Sequence, residues 1–201
     1  MAIRRVRAAV LALHWQVNVI RPEGFFGPML AAPVAASGVM PRAIEFHAAA
    51  LALGVPVVFT RFTIPVGEGE FVRNTGFMRS VGAAQTEFRP DSSGTAIISE
   101  MAAQPTEVFD NQKLSGLAGS KLPEWLTDQG IRTLFVTGVA TNLTVEQTAR
   151  HGTDLGFTVH PVADCVAAAS AGTHEAALAD LELVTAGSVT AERALGLLGQ
   201  G

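Results

Sequence analysis

The chain has little of what marks several protein classes. Its 201 residues include a single cysteine, Cys165, so no disulfide can form within the chain and a reducing, cytoplasmic setting is expected. Lys and Arg number 14 against 18 Asp and Glu, and no basic run follows residue 7, so nucleic acid is not expected as a partner. No apolar run approaches the roughly 20 residues of a membrane span, so no membrane partner is expected either.

Charge is also scarce, since only 16% of the residues are charged and 48% are hydrophobic. This composition favours a compact fold around a sheet that is buried on both faces. The excess of apolar residues further predicts a homo-oligomer, because a monomer must cover itself with polar surface. No Cys-x-x-Cys motif or His/Cys cluster suggests zinc, and no cofactor is expected.

Apolar runs of strand length alternate with helical patterns along the chain. Strands are predicted at 6–13, 55–60, 108–109, 131–137, 157–162 and 183–186. Helices are predicted at 41–53, 94–101, 122–129, 141–156, 173–181 and 190–198, the last with Thr190 as N-cap. The alternation predicts an α/β fold, in which a parallel sheet carries helices on both faces of a single domain, residues 1–201. Residues 61–93 show no clear period and are predicted to cover an active site.

Ligands of such folds bind at the carboxyl ends of the strands. The informative segments are therefore those that follow each predicted strand: 14–18, 60–63, 110–113 and 140–144.

The most specific motif spans Gly138 to Arg150 and reads GVATNLTVEQTAR. It resembles the nucleophile turn of the isochorismatase-like cysteine hydrolases, in which the run is G-V-x-T-N-x-C-V-E-x-T-A-R. The segments 9–18 and 53–61 are similar to the first two strands of that family, which includes nicotinamidases and N-carbamoylsarcosine amidases. The resemblance covers nearly the whole chain and implies the isochorismatase-like hydrolase fold.

The resemblance also shows that the catalytic triad has changed. By register, His14 stands for the family's Asp, Asn111 for its Lys and Thr144 for its nucleophilic Cys, although the second assignment could slip toward Lys113. A threonine hydroxyl is far less acidic than a thiol, so the ordinary thioester mechanism is excluded. The resemblance implies that two features of the family are kept. One is a cis peptide between Val139 and Ala140, and the other is an oxyanion hole formed by the N–H groups of Ala140 and Thr144.

Each replaced residue allows two interpretations. His14 is a general acid/base with a pKa near neutrality, or a hydrogen-bonded core histidine. Thr144 is a nucleophile that His14 activates and Asn111 orients, or a remnant that caps the helix. Asn111 is otherwise a structural or ligand-contacting amide.

Several other residues are predicted to contact a substrate, with packing or a solvated surface as the alternative for each. An apolar pocket is predicted from Trp15, Gln16, Phe26, Phe62 and Phe71, and Arg61 or Arg73 is expected to bind an acid group. The metal site of nicotinamidases needs an Asp and two His after the second strand. Residues 61–77 contain neither, so no metal is expected.

Two functions follow from these patterns. One is a divergent enzyme that acts on a small carbonyl-containing metabolite without a cysteine nucleophile, using His14 and the oxyanion hole at Ala140 and Thr144. The other is a catalytically dead member that binds a small ligand or a partner protein.

The altered triad predicts that the protein does not hydrolyse nicotinamide. Loss of a nucleophile alone lowers kcat by about 10⁶ in triads where it has been measured. Ammonia release from nicotinamide by the pure protein is the measurement. Robust release that disappears in Thr144→Ala would contradict the prediction.

Overall fold

The computed structural model describes residues 7–199, which include one sheet of five parallel strands in the order β3-β2-β1-β4-β5. The strands are β1 (Ala8–Leu13), β2 (Val57–Phe62), β3 (Glu107–Asn111), β4 (Thr133–Val139) and β5 (Thr158–Ala167). The predicted parallel α/β fold is confirmed. Position 6 of the first predicted strand lies outside the described residues.

Helices connect the strands on both sides of the sheet. They are α1 (Val17–Ile20), α2 (Gly27–Ser37), α3 (Val39–Ala52), α4 (Gly76–Ala83), α5 (Leu122–Asp128), α6 (Glu146–Asp154), α7 (Ala171–Val184) and α8 (Ala191–Leu198). Thr190 caps α8 as predicted, because its side chain accepts a hydrogen bond from the Arg193 amide. Within residues 7–199, no helix is long and apolar enough to cross a membrane.

The central strand β1 shows why the sequence selects this architecture. All six of its residues are buried, and successive side chains point to opposite faces. Val10 and Ala12 join a core built with α2, α3 and α8, whereas Leu11 and Leu13 join a second core built with α5, α6 and α7. A strand that is apolar on both faces can only lie between two helical layers.

The sheet brings the predicted site residues to one edge. His14 directly follows β1, Asn111 is the last residue of β3, and Ala140 follows β4. The strand order reverses at β1, which lies between β2 and β4. A crevice at the carboxyl ends of β1 and β4 is where doubly wound sheets bind ligands.

Two predicted elements were wrong. The strand at 183–186 is the end of α7, where Leu183 is 85% exposed, and the sheet is instead extended by a parallel bridge between Val162 and Val189. The helix at 94–101 is two short 3₁₀ turns. Between the turns, Ile97 pairs with Gln16, which pulls the chain into an extended conformation.

Three helices were missed by the pattern analysis: the single turn α1 and the longer α2 and α4. The helix α2 contains Pro33 and begins with Pro28 in its first turn, so its sequence lacks the regular polar face that reveals a surface helix. The segment 61–93, predicted to be irregular, contains α4 and a 3₁₀ turn at Gln85–Phe88. Both missed regions contribute side chains to the site described below.

Gly138 sits where β4 passes β1, and its backbone excludes any side chain. Its φ is +135°, and a Cβ added there would lie 2.3 Å from the Leu13 carbonyl oxygen. We expect Gly138→Ala to lower the free energy of unfolding by about 2–4 kcal/mol or to prevent folding, as measured in urea.

Gly196→Ala is the matched control. Gly196 is exposed in α8, and nothing lies within 4 Å of its added Cβ, so this change should be neutral or stabilise by up to about 1 kcal/mol. Equal stability of the two variants would show that the close approach of β4 to Leu13 is not a constraint.

Candidate active site

A small apolar cavity lies at the carboxyl ends of β1 and β4. Its walls are His14, Val19, Phe26, Met29, Leu30, Phe62, Phe77, Val81, Phe88, Leu114, Val139, Ala140, Leu143 and Thr144. The cavity volume is about 40 Å³, which is room for about three water molecules. The walls include no Lys, Arg, Asp or Glu, so an imidazole and backbone amides are the main polar groups that a ligand meets.

His14 is held at this cavity by β1 and by packing. Its backbone is left-handed (φ 54°), it is 6% exposed, and its ring meets Phe62 edge-on at 6.1 Å. Burial lowers the pKa of His14 to about 4, and the Asn111 side chain offsets only part of that effect. The predicted pKa near neutrality was therefore wrong, because the sequence does not reveal how completely the ring is shielded from water. The imidazole is neutral at physiological pH.

Asn111 lies beside His14, at the end of β3. It is fully buried, and its Nδ2 donates to the carbonyls of Lys113 at 2.9 Å and Ser115 at 2.7 Å. Lys113 turns away, with its Nζ donating to the Glu70 carbonyl. Among the described residues that line the cavity, none carries an ammonium group.

The Thr144 hydroxyl is already engaged. It donates to the carbonyl of Leu114 at 2.8 Å, and the residue is 2% exposed. A hydroxyl has one proton, so the proton directed at Leu114 is not available to His14. This geometry does not support a nucleophile that His14 activates. The hydroxyl does not cap the helix either, because its hydrogen bond goes to the loop at Leu114.

The turn that carries Thr144 keeps the family's geometry. The Val139–Ala140 peptide is cis, and Thr141–Val145 form a single π-helical turn before α6. The Ala140 carbonyl accepts from the amides of Leu143 and Val145, each at 3.2 Å. Among residues 7–199, the amides of Ala140 and Thr144 donate to no side chain and to no carbonyl outside the turn, and both residues line the cavity.

His174 supports the same turn from α7. Its Nδ1 lies 2.9 Å from the hydroxyl oxygen of Thr141, the first residue of the turn. Nothing local in the sequence connects residue 174 with residue 141. The contact appears only once α7 packs against the turn.

Gln16 fastens the end of β1 to its neighbours instead of contacting a ligand. Its Oε1 accepts from the Phe62 amide at 2.7 Å, and its Nε2 donates to the carbonyls of Phe62 and Thr95, each at 3.1 Å. Gln16 is 1% exposed and does not line the cavity. Its predicted substrate contact is corrected to a structural one.

Of the other predicted substrate residues, Phe26 and Phe62 line the cavity and four do not. One of the four, Arg73, pairs with the carboxylate of Glu68. Trp15 is fully buried in the core on the α2, α3 and α8 side of the sheet. Phe71 packs behind Phe62, with ring centroids 6.3 Å apart. Arg61 is paired through two hydrogen bonds of 2.8 Å with Asp110, its partner in the β2–β3 register, so it does not offer its charge to the cavity.

Sequence reasoning missed most of the apolar wall. Phe77 and Val81 come from α4 and Phe88 from the following 3₁₀ turn, whereas Met29 and Leu30 come from α2. The one available signal was the density of phenylalanine in residues 61–93, which fits the predicted cover.

Leu114 forms a partition between two spaces. Its side chain lines the closed cavity and also an open polar groove that includes Lys113, Gln147, Arg150 and His151. The carbonyl of the same residue holds the Thr144 hydroxyl.

The residues described do not fit the metal site of nicotinamidases. No group of three or more His, Cys, Asp or Glu that could hold a metal ion occurs among residues 7–199. Cys165 is buried, and burial raises its pKa to about 12, so its thiol is protonated.

Comparison with known families gives a match over nearly all of the described chain. The family model of the isochorismatase domain matches residues 8–193. Part of the sequence is similar to the ureidoacrylate amidohydrolase RutB of Stutzerimonas stutzeri (strain A1501), at 37% identity over 79 residues. That alignment covers 34% of this chain and 32% of the length of the curated relative.

Solved structures share the fold at low identity. A cysteine hydrolase from Pseudomonas syringae pv. phaseolicola superimposes with a TM-score of 0.81 at 20% identity, covering 100% of this chain and 96% of the other. An isochorismatase family protein from Desulfovibrio vulgaris gives 0.82 at 18% identity, covering 96% and 98%. A nicotinamidase from Bacillus subtilis gives 0.71 at 17% identity, covering 92% and 99%.

The bond from Thr144 to Leu114 predicts a stability difference between two small substitutions. Thr144→Val removes the hydroxyl and leaves the carbonyl of the half-buried Leu114 without this donor, which should cost about 0.5–1.5 kcal/mol in urea unfolding. Thr144→Ser keeps the hydroxyl donor, so its free energy of unfolding should fall by less than that of the valine variant. If the valine variant were as stable as the serine variant, the hydroxyl would not be committed to Leu114.

Proposed function

This chain belongs to the isochorismatase family, and from that premise we propose that it acts on a small carbonyl compound without a covalent enzyme intermediate. One observation carries the proposal. Among residues 7–199, the neutral imidazole of His14 lines the same small, mostly apolar cavity as Ala140 and Thr144, whose amides donate to no side chain and to no carbonyl outside the turn. These are the parts needed to move a proton while negative charge develops on an oxygen.

His14 is the proton carrier in this proposal. In a hydrolysis, it takes a proton from water as the oxygen of that water adds to the carbonyl carbon, and it returns the proton to the leaving group. In an elimination, it takes a proton from the carbon next to the carbonyl, and the electron pair moves onto the oxygen. When that pair returns, the leaving group departs from the following carbon and takes the proton from His14. In both cases the amides of Ala140 and Thr144 bind the resulting oxyanion.

The absence of a charged lysine at the cavity changes what stabilises the anion. Backbone amides are weaker than an ammonium group in water, but a dry, apolar cavity strengthens them. Hydrolysis has some support from the name of the partial relative, an amidohydrolase, although that match spans only about a third of either protein.

A second function, ligand binding without turnover, is favoured by one specific observation. A pKa of about 4 makes His14 a weak base, and the cavity without a ligand has space for only a few water molecules. A binding protein needs the amides and the apolar walls but no proton transfer.

The two functions are separated by kinetics of His14→Ala and Thr144→Ala. A panel of amides, esters, N-carbamoyl compounds and ketones is incubated with the pure protein, and products are detected by mass spectrometry. For any compound turned over, His14→Ala should lower kcat/KM by about 10²–10⁴-fold, since it removes the base. Thr144→Ala keeps its amide and should lower kcat/KM much less. The wild-type kcat/KM should be level from pH 8 to 6 and decline as pH falls toward about 4, where His14 becomes protonated.

Intact-mass measurement during turnover supplies the control for the mechanism. A covalent adduct on Thr144, with equal loss in both variants, would identify Thr144 as a nucleophile and reject the proposal. Unchanged turnover in His14→Ala would reject His14 as the proton carrier. Binding of panel compounds with no product from any of them would select the second function.

A further inference from the structure

Two buried polar atoms at the site have no hydrogen-bond partner and belong to neighbouring side chains. They are Nε2 of His14 and Oδ1 of Asn111. Interaction with the Asn111 side chain also opposes the fall in the pKa of His14, which requires the two groups to be close. Buried polar atoms without partners are costly, so an arrangement that pairs these two is favoured.

The direction of the pairing follows from the donors and acceptors of Asn111. Its Nδ2 donates to two carbonyls, those of Lys113 and Ser115. A flipped amide would place an oxygen against both carbonyl oxygens, so the orientation is fixed. The atom left to face His14 is therefore an oxygen, which can only accept. A neutral imidazole that pairs with it must carry its proton on Nε2.

The other ring nitrogen is then an acceptor. Nδ1 of His14 has no hydrogen-bond partner among residues 7–199, and, unlike Nε2, it is not among the fully enclosed polar atoms. His14 is part of the cavity wall, so the exposed edge of its ring faces the cavity. A neutral histidine with its proton on Nε2 presents a lone pair at Nδ1.

From this geometry we infer that Asn111 is a positioning residue that holds His14 as the Nε2–H tautomer, and that the site selects an uncharged ligand which donates a hydrogen bond beside its carbonyl oxygen. The inference rests on the proposed function, because it assumes that the ligand oxygen binds the amides of Ala140 and Thr144. The inference adds that the site offers a ligand two hydrogen-bond donors, the amides of Ala140 and Thr144, and one acceptor, Nδ1 of His14.

The charge of the ligand follows from the walls. No Lys or Arg lines the cavity, and Arg61 is occupied by Asp110. A carboxylate would enter an apolar space without a cation and would leave the Nδ1 lone pair facing an acceptor. A ketone without a donor would leave Nδ1 unpaired once water is displaced.

Three isosteric probes test the inference on the wild-type protein. They are 3-hydroxy-3-methylbutan-2-one (neutral, with a hydroxyl), 3,3-dimethylbutan-2-one (neutral, without one) and 2-hydroxyisobutyrate (anionic, with one). Titrations are followed by NMR at pH 7.5 through the backbone amides of Ala140 and Thr144 and the ring nitrogens of His14. The hydroxyketone should bind at least about tenfold more tightly than either of the others. The free protein should show the proton of His14 on Nε2.

The outcomes separate this inference from the function on which it rests. If no probe shifts the two amides, the carbonyl site is absent, and both the proposed function and this inference are overturned. If the amides shift but either comparison probe binds as well as the hydroxyketone, the inference alone is overturned. It is also overturned if His14 carries its proton on Nδ1, or if 2-hydroxyisobutyrate binds with both ring nitrogens protonated.

Asn111→Leu tests the positioning role through the same ring signals. A folded variant should show both tautomers of His14, whereas retention of the single Nε2–H form would overturn the role of Asn111. If the variant does not fold, the inference is tested by the tautomer of His14 in the wild-type protein and by the ranking of the three probes.

Discussion

The side-chain amide of Gln16 is the interaction on which the site depends most. It satisfies both backbone groups of Phe62 and the carbonyl of Thr95, so it joins the ends of β1 and β2 to the loop that follows the cover segment. His14 and Phe62, which meet edge-on in the cavity, are thereby held in a fixed relation. Three hydrogen bonds made in a fully buried place hold them more firmly than the same bonds would at the surface.

The site is built from neutral groups throughout. Its polar side chains are an imidazole that burial keeps uncharged, an amide bound to two carbonyls and a hydroxyl bound to a carbonyl. Each change reduces the need for water or counter-ions, and the surrounding phenylalanines supply neither. The replacements are therefore consistent with one another, because a single charged residue among neutral partners would be costly at this depth.

Much of the fold and the place of the site could be predicted from the sequence. The buried runs of β1, β2 and β4 are long and apolar, and the motif from Gly138 to Arg150 identifies the turn, including its cis peptide. Chain positions just after strands located His14 and Asn111 correctly, since parallel strands end at one edge.

What could not be predicted depends on contacts between distant residues. The pKa of His14 follows from the closure of α2 and α4 over the ring, and both helices escaped the pattern analysis. The pairing of Arg61 with Asp110 follows from the register of β2 and β3. The direction of the Thr144 hydroxyl follows from the path of the loop through Leu114, which has no local sequence signal.

The double role of Leu114 has a consequence for how this site can diverge. Its side chain limits the cavity on the side of the polar groove, and its carbonyl holds the Thr144 hydroxyl. A change of loop path that widened the cavity toward the groove would also release that hydroxyl. The size of the cavity and the freedom of the Thr144 hydroxyl are therefore coupled through one residue of a loop.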